Sequence, residues 1–283
     1  MPDAEHQQGV NPTESSSPEA IDRAPLNSLV SPPIPSARRA SKRRFDPSLQ
    51  KECWVSRSKI EMFVECQRCF YLDVRLGFSR PKSFPLSINN EIDRRLKEEF
   101  DVYRQRGEPH PYMIKAGINA VPFKHENIDA WRDALHRGIR YRVPGTTLVV
   151  GGGIDDVWES RGENKGQLIV VDYKATSQAA PATLDDEWKI SYKRQAEIYQ
   201  WLFRMNGFDV SDTALFLFCN ARKNTDVFNS KLDFEVTIVP YKGDTSWVES
   251  KILNAFNVLR SDEIPAPNGC CDYCRFAAQA GRI

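Results

Sequence analysis

Two aspartates and one lysine form the most informative pattern in the sequence. Asp155 ends a G-x-D motif, and Asp172 and Lys174 form a D-x-K motif at the end of an apolar run. Carboxylate oxygens are the ligands that Mg²⁺ and Mn²⁺ prefer, and these ions keep positions open for water and phosphate oxygens. An ammonium group beside such an ion can orient an attacking water and stabilise the charge of a transition state. The three residues therefore suit metal-assisted hydrolysis of a phosphodiester bond.

The flanking sequence predicts that these residues lie on a β-hairpin. Residues 146–158 and 168–174 are rich in valine, isoleucine and aromatic residues, whereas residues 161–166 are polar and contain glycine. Branched and aromatic side chains favour strands, and a polar segment with glycine between two strands favours a turn. The pairing of the two strands would allow Asp155 to face Asp172.

Side chains alternate along a strand, so the residues of the D-x-K motif would lie on different faces of the sheet. Asp172 and Lys174 would project from one face of the sheet. Tyr173 would point to the other face, which leaves its backbone carbonyl near the same rim. We therefore expect Asp155, Asp172 and the Tyr173 carbonyl to supply oxygen ligands to a Mg²⁺ or Mn²⁺ ion.

A predicted helix over 188–206 contributes a second group of polar side chains. Its apolar residues recur at helical spacing. Gln195 and Tyr199 are four residues apart and so share one face of this helix. Three basic residues beside them would add positive charge to a phosphate-binding surface: Lys189, Lys193 and Arg194. An ordinary amphipathic helix with a solvated basic face is the alternative.

Together with an earlier motif, these elements resemble a known family. Ser58, Phe63 and Cys66 form an S-x-x-x-x-F-x-x-C motif on a predicted helix over 57–75, and the G-x-D, D-x-K and Q-x-x-x-Y motifs follow in order. In this the chain resembles the PD-(D/E)XK nucleases, in particular the branch that includes the nuclease domains of RecB and AddB and the CRISPR-adaptation nucleases. The resemblance covers residues 56–280. It implies an α/β fold with a restriction-endonuclease-like core, in which helices flank a central mixed β-sheet.

The resemblance also implies roles for residues outside the hairpin. Gln195 and Tyr199 would line the active-site groove, contact nucleic acid and support Lys174. Members of the family commonly carry a histidine metal ligand on an upstream helix, and Asp93 stands at that position here. A carboxylate there would favour Mg²⁺ or Mn²⁺. A surface charge paired with Lys97 is the alternative.

Most of the seven cysteines fall into two groups near the ends of the predicted domain: Cys66 and Cys69, then Cys270, Cys271 and Cys274. Two C-x-x-C pairs match the ligand spacing of a tetrahedral Zn²⁺ site. The expected compartment is reducing, because the sequence shows no secretory signal, so disulfides are not expected. Simple packing of buried thiols is a further alternative.

The resemblance suggests a [4Fe-4S] cluster at the same place. Members of the branch often join their two ends through one early cysteine and a C-terminal C-x2-C-x5-C motif. Cys66, Cys271 and Cys274 match this pattern, but Ala280 stands where the last ligand should be. Cys69 or Cys270 would have to replace it. We expect a metal staple, with either iron–sulfur or zinc, held by four thiols: Cys66, Cys69, Cys271 and Cys274.

Composition sets limits on the domain organisation. The chain has 283 residues, of which 41% are hydrophobic and 27% charged, enough for one sizeable core but not for two enzymatic domains. We predict a single nuclease domain over 47–283. Residues 1–46 are rich in proline and serine, which predicts a disordered tail, with a basic run over 38–44. That run would serve as a phosphate-binding arm, a nuclear address or a plain solvated tail.

The remaining elements complete the expected layout. Further helices are predicted at 87–106, 126–140 and 244–260, further strands at 212–220 and 232–240, and an irregular segment at 107–125. No apolar run approaches the ~20 residues that a membrane-spanning helix needs, so no membrane partner is expected. The net charge of +1 does not by itself indicate a nucleic-acid-binding protein.

These observations predict a divalent-metal-dependent DNA nuclease of the cytoplasm, or of the nucleus if the cell is eukaryotic. By analogy with the family, an exonuclease of DNA repair, recombination or defence is preferred, with single strands or DNA ends as substrate and a helicase or repair protein as partner. The alternative is a catalytically inactive, nuclease-like scaffold that binds nucleic acid.

Overall fold

The computed structural model of the protein describes residues 44–81, 87–223 and 230–281. Within these residues the strands are β1 (Cys53–Ser56), β2 (Ala120–Pro122), β3 (Ile139–Arg142), β4 (Leu148–Gly152), β5 (Asp156–Ser160), β6 (Leu168–Thr176), β7 (Thr213–Ala221) and β8 (Phe234–Lys242). The α-helices are α1 (Arg57–Glu65), α2 (Gln67–Val74), α3 (Ser87–Arg106), α4 (Pro111–Lys115), α5 (Ile128–Arg132), α6 (Ile190–Met205), α7 (Val248–Arg260) and α8 (Asp272–Ala280). A 3₁₀ turn at Glu187–Lys189 precedes α6.

The larger sheet has five strands in the order β2-β5-β6-β7-β8. Strands β6 and β7 are parallel, and the other neighbouring pairs are antiparallel. A parallel pair needs a crossover connection, which here contains α6. The predicted mixed sheet flanked by helices is therefore confirmed, and so is the predicted β5–β6 hairpin.

Strand β7 shows how side-chain alternation divides the core between the two faces of this sheet. Leu215 and Leu217 pack in one cluster with Phe100 of α3. Phe216 and Phe218 pack in a second cluster, which contains buried apolar residues of α1, α6 and α7. Burying each such side chain contributes about 1.5–3 kcal/mol, so the alternation fixes the register of the central strands.

A smaller sheet in the order β1-β4-β3 lies beside the first. The sequence predicts one strand over 146–158, but the structure divides this segment between the two sheets, with β4 in the small sheet and β5 in the large one. A side chain at Gly153, in the break between them, would collide with the backbone of Ala134. Both strands are largely buried, so the sequence pattern does not reveal the switch.

Two predicted helices are also shorter than expected. The helix predicted over 57–75 breaks at Cys66, whose extended backbone ends α1 and caps α2. The helix predicted over 126–140 ends at Arg132, because Asp133 accepts hydrogen bonds from the amides of Leu135 and His136 and so closes a turn.

The N-terminal limit of the folded part lies slightly earlier than predicted. Residues 1–43, which contain almost all of the predicted tail and basic run, lie outside the described residues. Phe45 is buried, and its amide donates to the Val74 carbonyl. The fold thus includes residues before the predicted start at 47. Among the described helices, none is both long and apolar enough to cross a membrane.

Candidate active site and cysteine cluster

The hairpin brings the G-x-D and D-x-K motifs together. Asp156 pairs with Val171, so the preceding Asp155 and the following Asp172 meet at the end of the hairpin ladder. The Tyr173 amide donates a hydrogen bond to Asp155 Oδ2 at 2.9 Å. The Lys174 ammonium contacts the Asp172 carboxylate. The three predicted residues Asp155, Asp172 and Lys174 thus share one site.

The carboxylates of this site repel one another despite the adjacent lysine. Asp172 is only 2% exposed, and burial raises its pKa above the ordinary value. Lys174 acts against this increase, whereas the charge of Asp155 adds to it. Burial also disfavours the charged form of Lys174, but the two carboxylates outweigh it and raise the pKa of the ammonium. Both shifts show carboxylates that would be stabilised by a further positive charge.

Helix α3 adds Asp93 to the same site. The Lys97 ammonium lies 2.7 Å from Asp93 Oδ2 and 3.5 Å from Asp155 Oδ1, so Asp93 makes the expected pair with Lys97 and also lies close to the hairpin. Burial and the charge of Asp155 raise the pKa of Asp93. Glu91, on the same helix, instead binds Arg94 and Arg95 at the exposed surface.

The residues of this site fit a hard divalent ion. We call Asp93, Asp155 and Asp172, with Lys97 and Lys174, the carboxylate site. Asp93 Oδ1 is buried and has no hydrogen-bond partner among the described residues. A buried carboxylate oxygen without a partner is costly unless a cation binds it. Three clustered carboxylates are a donor set that Mg²⁺ and Mn²⁺ accept.

Tyr199 and Gln195 differ in their surroundings. Tyr199 is 4% exposed, and its hydroxyl donates to the Gly153 carbonyl at 2.5 Å. Burial raises the pKa of Tyr199 to about 12, so the hydroxyl keeps its proton. Through this hydrogen bond the side chain supports the turn that holds Asp155. Gln195 is half-buried, one turn earlier on α6, and its amide makes no hydrogen bond with another described residue.

The predicted basic wall on this helix is smaller than expected. Lys189 is 2% exposed, and its ammonium donates to the Thr183 carbonyl and pairs with Asp186. Arg194 pairs with Glu61 at 2.9 Å. Lys189 is therefore occupied inside the fold and cannot bind a phosphate at the surface.

Two further residues at the site escaped the sequence analysis. Arg57, the first residue of α1, is half-buried. Its positive charge opposes the increase in the pKa values of Asp172 and Tyr199 that burial causes. The Tyr192 ring lies 4.5 Å from the Lys174 ammonium. Tyr192 stands three residues before Gln195, on the same helical face, which was the available signal. Arg57 directly precedes the S-x-x-x-x-F-x-x-C motif, but nothing in that position indicates its target.

A family comparison agrees with this geometry. The model of the PD-(D/E)XK nuclease superfamily matches residues 89–279, about two thirds of the chain. The chain belongs to the PD-(D/E)XK nuclease superfamily. The matched region includes all three aspartates of the carboxylate site. No curated protein matches the chain.

Membership agrees with the fold and gives the site a general chemistry. The curled mixed sheet flanked by helices is consistent with the restriction-endonuclease-like fold of PD-(D/E)XK proteins. Proteins of this superfamily are generally nucleases that hydrolyse phosphodiester bonds, and they typically use Mg²⁺ or Mn²⁺. Membership therefore suggests a metal-dependent nuclease, with DNA as the implied substrate.

Behind the carboxylate site, this PD-(D/E)XK protein has a second charged cluster, which we call the rear network. Asp156 is completely buried, and its Oδ1 lies 2.6 Å from Arg104 and 3.0 Å from Arg132. Its Oδ2 accepts hydrogen bonds from the Tyr173 hydroxyl at 2.7 Å and from the Trp158 indole. Burial alone would raise the pKa of Asp156, but the two guanidinium groups outweigh it and lower the pKa.

The rear network holds the residues of the hairpin from behind. Tyr173 lies between Asp172 and Lys174 in the sequence, and its side chain is anchored to Asp156 on the opposite face. Arg132 also donates to the Asp155 carbonyl at 3.2 Å. The sequence analysis missed this network, because its arginines come from distant helices and only the adjacent pair Asp155–Asp156 hinted at it.

Four cysteines from the two ends of the fold meet in a second candidate site. The ligand sulfurs of Cys66, Cys69, Cys271 and Cys274 all lie within 4.8 Å of one another, and the four side chains are buried. Cys66 Sγ is 3.6 Å from Cys274 Sγ, and Cys69 Sγ is 3.7 Å from Cys271 Sγ. Cys270 is exposed and outside this group. The predicted four thiols therefore form one cluster that can bind a metal.

The surroundings of the cluster favour a thiolate at Cys271, whereas the pKa values of Cys69 and Cys274 are raised. Burial opposes ionisation of Cys271, but hydrogen bonds from the Cys274 amide and from neighbouring thiols lower its pKa to about 7. Burial raises the pKa of Cys69 to about 12, against the effect of Arg80. The Arg80 guanidinium lies 3.7 Å from Cys271 Sγ and provides a cation beside the cluster. Metal ligands must be deprotonated, so these contacts assist metal binding.

Proposed function

We propose that the protein is a divalent-metal-dependent deoxyribonuclease whose active centre is the carboxylate site. One observation supports this most strongly: three aspartates from α3, the G-x-D turn and β6 lie together with Lys97 and Lys174, and a buried oxygen of Asp93 has no partner among the described residues. Such a cluster is destabilising unless it serves a cation. A site of this kind is typical of function rather than of folding.

In this proposal each polar group has a distinct role. Asp93, Asp155, Asp172 and the Tyr173 carbonyl hold Mg²⁺ or Mn²⁺, which supplies Lewis acidity and a more acidic water when bound. The neighbouring carboxylates raise the pKa of Lys174, so Lys174 is a cation beside them. It orients the attacking water and stabilises the negative charge that grows on the phosphate.

The remaining predicted residues act around this centre. Tyr199 keeps the G-x-D turn in place through the Gly153 carbonyl. Gln195, whose amide is not engaged by another described residue, contacts the DNA backbone. Arg57 adds a positive charge near Asp172 and is suited to a substrate phosphate.

The finer assignment rests on the resemblance. The order of motifs is similar to that of the RecB and AddB branch, whose members process DNA ends, so we propose an exonuclease of repair, recombination or defence that works with a helicase or repair partner. The four reduced cysteines suit the cytoplasm or nucleus. One domain, predicted over 47–283 and including the buried Phe45 before it, would carry the activity.

Cleavage of a labelled single-stranded oligonucleotide tests the function. The wild-type protein should cut with Mg²⁺ or Mn²⁺ and not in EDTA. Lys174→Ala should bind the oligonucleotide but cut it at least about 10²-fold more slowly. Binding by both proteins without cleavage under any divalent ion would refute the enzyme and favour the inactive scaffold.

The same assay resolves the substrate class. An exonuclease should degrade a linear strand and leave a circular single strand intact. Cleavage of the circle would replace the exonuclease by an endonuclease. Faster cleavage of an RNA of the same sequence would overturn the assignment to DNA.

We also propose that the cysteine cluster holds one Zn²⁺ ion. Four thiolates at 2.3 Å around a tetrahedral ion are separated by about 3.8 Å. Two separations between Sγ atoms, 3.6 and 3.7 Å, agree with this value, and all four sulfurs lie within 4.8 Å of one another. In a [4Fe-4S] cluster each thiolate binds a different iron, so the sulfurs would lie farther apart.

Elemental analysis of the purified protein checks the zinc assignment. One zinc per chain and no visible absorption band are expected, and Cys274→Ser should lower the zinc content and the melting temperature. Cys270→Ser is the matched control, because Cys270 is exposed and outside the cluster. Iron with a broad visible band would overturn zinc in favour of iron–sulfur.

A further inference from the structure

The ammonium of Lys97 is a part of the carboxylate site that the nuclease mechanism above does not use. Lys97 is one turn after Asp93 on α3, and its Nζ contacts Asp93 Oδ2 at 2.7 Å and Asp155 Oδ1 at 3.5 Å. It therefore lies between two proposed metal ligands that come from different elements. The side chain is only 20% exposed, so its charge acts in a largely desolvated place.

The Lys97 ammonium occupies a position that a second metal ion would need. Where two ions catalyse phosphodiester cleavage, they lie about 3.5–4 Å apart and share carboxylate ligands. Lys97 already contacts one oxygen of each of two carboxylates. Asp93 Oδ1 is left without a partner among the described residues and remains available for one ion.

The balance of formal charge agrees with a single ion. The three aspartates bring three negative charges, while Lys97 and Lys174 bring two positive charges and the nearby Arg57 a third. One divalent ion adds two positive charges, of which a DNA phosphate neutralises one. A second divalent ion would leave a large positive excess in a poorly solvated site, where like charges repel strongly.

We propose that Lys97 takes the place of a second divalent cation, so that the carboxylate site binds one Mg²⁺ or Mn²⁺ ion. This inference rests on the proposed function in one respect, that these carboxylates bind such an ion. Lys97 has two tasks: it holds Asp93 and Asp155 together, and it excludes further metal by its charge.

Titration with Mn²⁺, followed by the electron paramagnetic resonance signal of the free ion, tests this inference without measuring cleavage. Zinc-loaded wild-type protein should bind one Mn²⁺ at this site, and Asp172→Asn should lose that binding, which identifies the site. Lys97→Met removes the charge but keeps the length of the side chain. It should bind a second Mn²⁺, with the first held at least about tenfold more tightly.

Two other variants control for the loss of charge and for damage to the helix. Lys97→Arg keeps the positive charge and should bind one ion as wild type does. Arg95→Met removes a positive charge from the same helix, but Arg95 pairs with Glu91 at the exposed surface. It should also leave one ion bound with unchanged affinity.

Two ions bound at this site in the wild-type protein would overturn the inference, whatever the variants do. So would a Lys97→Met protein with the stoichiometry and affinity of wild type. A wild type that binds one Mn²⁺ but cuts no DNA would refute the nuclease and leave the role of Lys97 intact. Two bound ions together with DNA cleavage would refute the role of Lys97 and leave the nuclease intact. Failure of every variant to bind Mn²⁺ would refute both the nuclease and the role of Lys97.

Discussion

The two faces of the β5–β6 hairpin treat their carboxylates in opposite ways. Asp156, on the rear face, is completely buried, yet two guanidinium groups, a hydroxyl and an indole satisfy it, and its pKa is lowered. Asp172, on the front face, is almost as buried, but its pKa is raised. These residues lie on paired strands, so the backbone does not explain the difference.

The difference lies in what each face has to bind. The rear face binds its own side chains, and these contacts satisfy the Asp156 carboxylate. The front face brings like charges together and leaves a buried oxygen of Asp93 without a partner among the described residues. The stable contacts of the rear face thus support the strained cluster of carboxylates on the front face, which is a common compromise at functional sites.

The largest effect that this comparison predicts is the effect of Asp172→Asn on the rate of DNA cleavage. This front-face change should lower the rate of DNA cleavage by more than about 10²-fold, because a metal ligand and the partner of Lys174 lose their charge. In EDTA the free energy of unfolding should stay the same or rise, because a buried carboxylate with a raised pKa destabilises the fold when ionised. A protein that loses stability with its activity would contradict the strain assigned to the front face.

Asp156→Asn is the matched change on the rear face and should act mainly on stability. It leaves two buried guanidinium groups without their counter-charge, which costs about 3–5 kcal/mol. Urea denaturation measures the loss. If the protein tolerates the change with less than about 1 kcal/mol of destabilisation, the rear network is not the support proposed for it.

Tyr173→Phe removes one hydroxyl from the rear network and leaves the Tyr173 amide and carbonyl unchanged. The loss of a hydrogen bond to the buried Asp156 Oδ2 should cost about 1–3 kcal/mol of stability. The affinity for Mn²⁺ should change little in the folded protein. A large decrease in that affinity, measured below the unfolding temperature, would mean that the two faces are not separable.

Tyr199→Phe probes the support of the front face from α6. The lost hydrogen bond to Gly153 should cost about 0.5–1.5 kcal/mol of stability. It should also lower kcat by about tenfold, with little change in KM, because Asp155 becomes less well positioned while the DNA contacts remain. An increase in KM alone would indicate a direct contact between Tyr199 and DNA instead.

The smallest effect concerns pH and His110, which packs beside the rear network. His110 is buried and stacked on Phe100, it bonds Glu99, and burial lowers its pKa despite that carboxylate. When the pH falls below about 6.5, the unfolded chain takes up a proton that the folded protein refuses, so stability decreases.

Urea unfolding at pH 7.5 and pH 5.5 should show the contribution of His110 to the pH dependence of stability, as a difference between wild type and His110→Gln. The wild type should lose up to about 1.4 kcal/mol more per pH unit below its unfolded pKa than the variant does. Equal losses in the two proteins would show that His110 titrates alike in the folded and unfolded states.

The parts of the molecule that sequence could predict are those that local patterns specify. Asp172 and Lys174 lie on β6, and Asp155 directly precedes β5, which a short turn joins to β6, so local patterns placed them together. The four clustered cysteines come from distant parts of the chain, yet their paired spacing and chemistry identified them.

The parts that escaped prediction depend on contacts between distant elements. Arg104 and Arg132 look like ordinary surface arginines until their helices pack behind the hairpin. Tyr199 was assigned to the correct helix and region, but only the fold shows that its hydroxyl points at a backbone carbonyl. The division of the segment 146–158 between two sheets was hidden for the same reason.

That division has a mechanical consequence. Residues 153–155 connect β4 in one sheet with β5 in the other, and Asp155 is the last residue of this connection. Any sliding of the small sheet against the large one is therefore transmitted directly to the Asp155 carboxylate. A displacement of about 1 Å in an active site can cost about 10²-fold in rate. A shift of the small sheet would therefore slow the reaction.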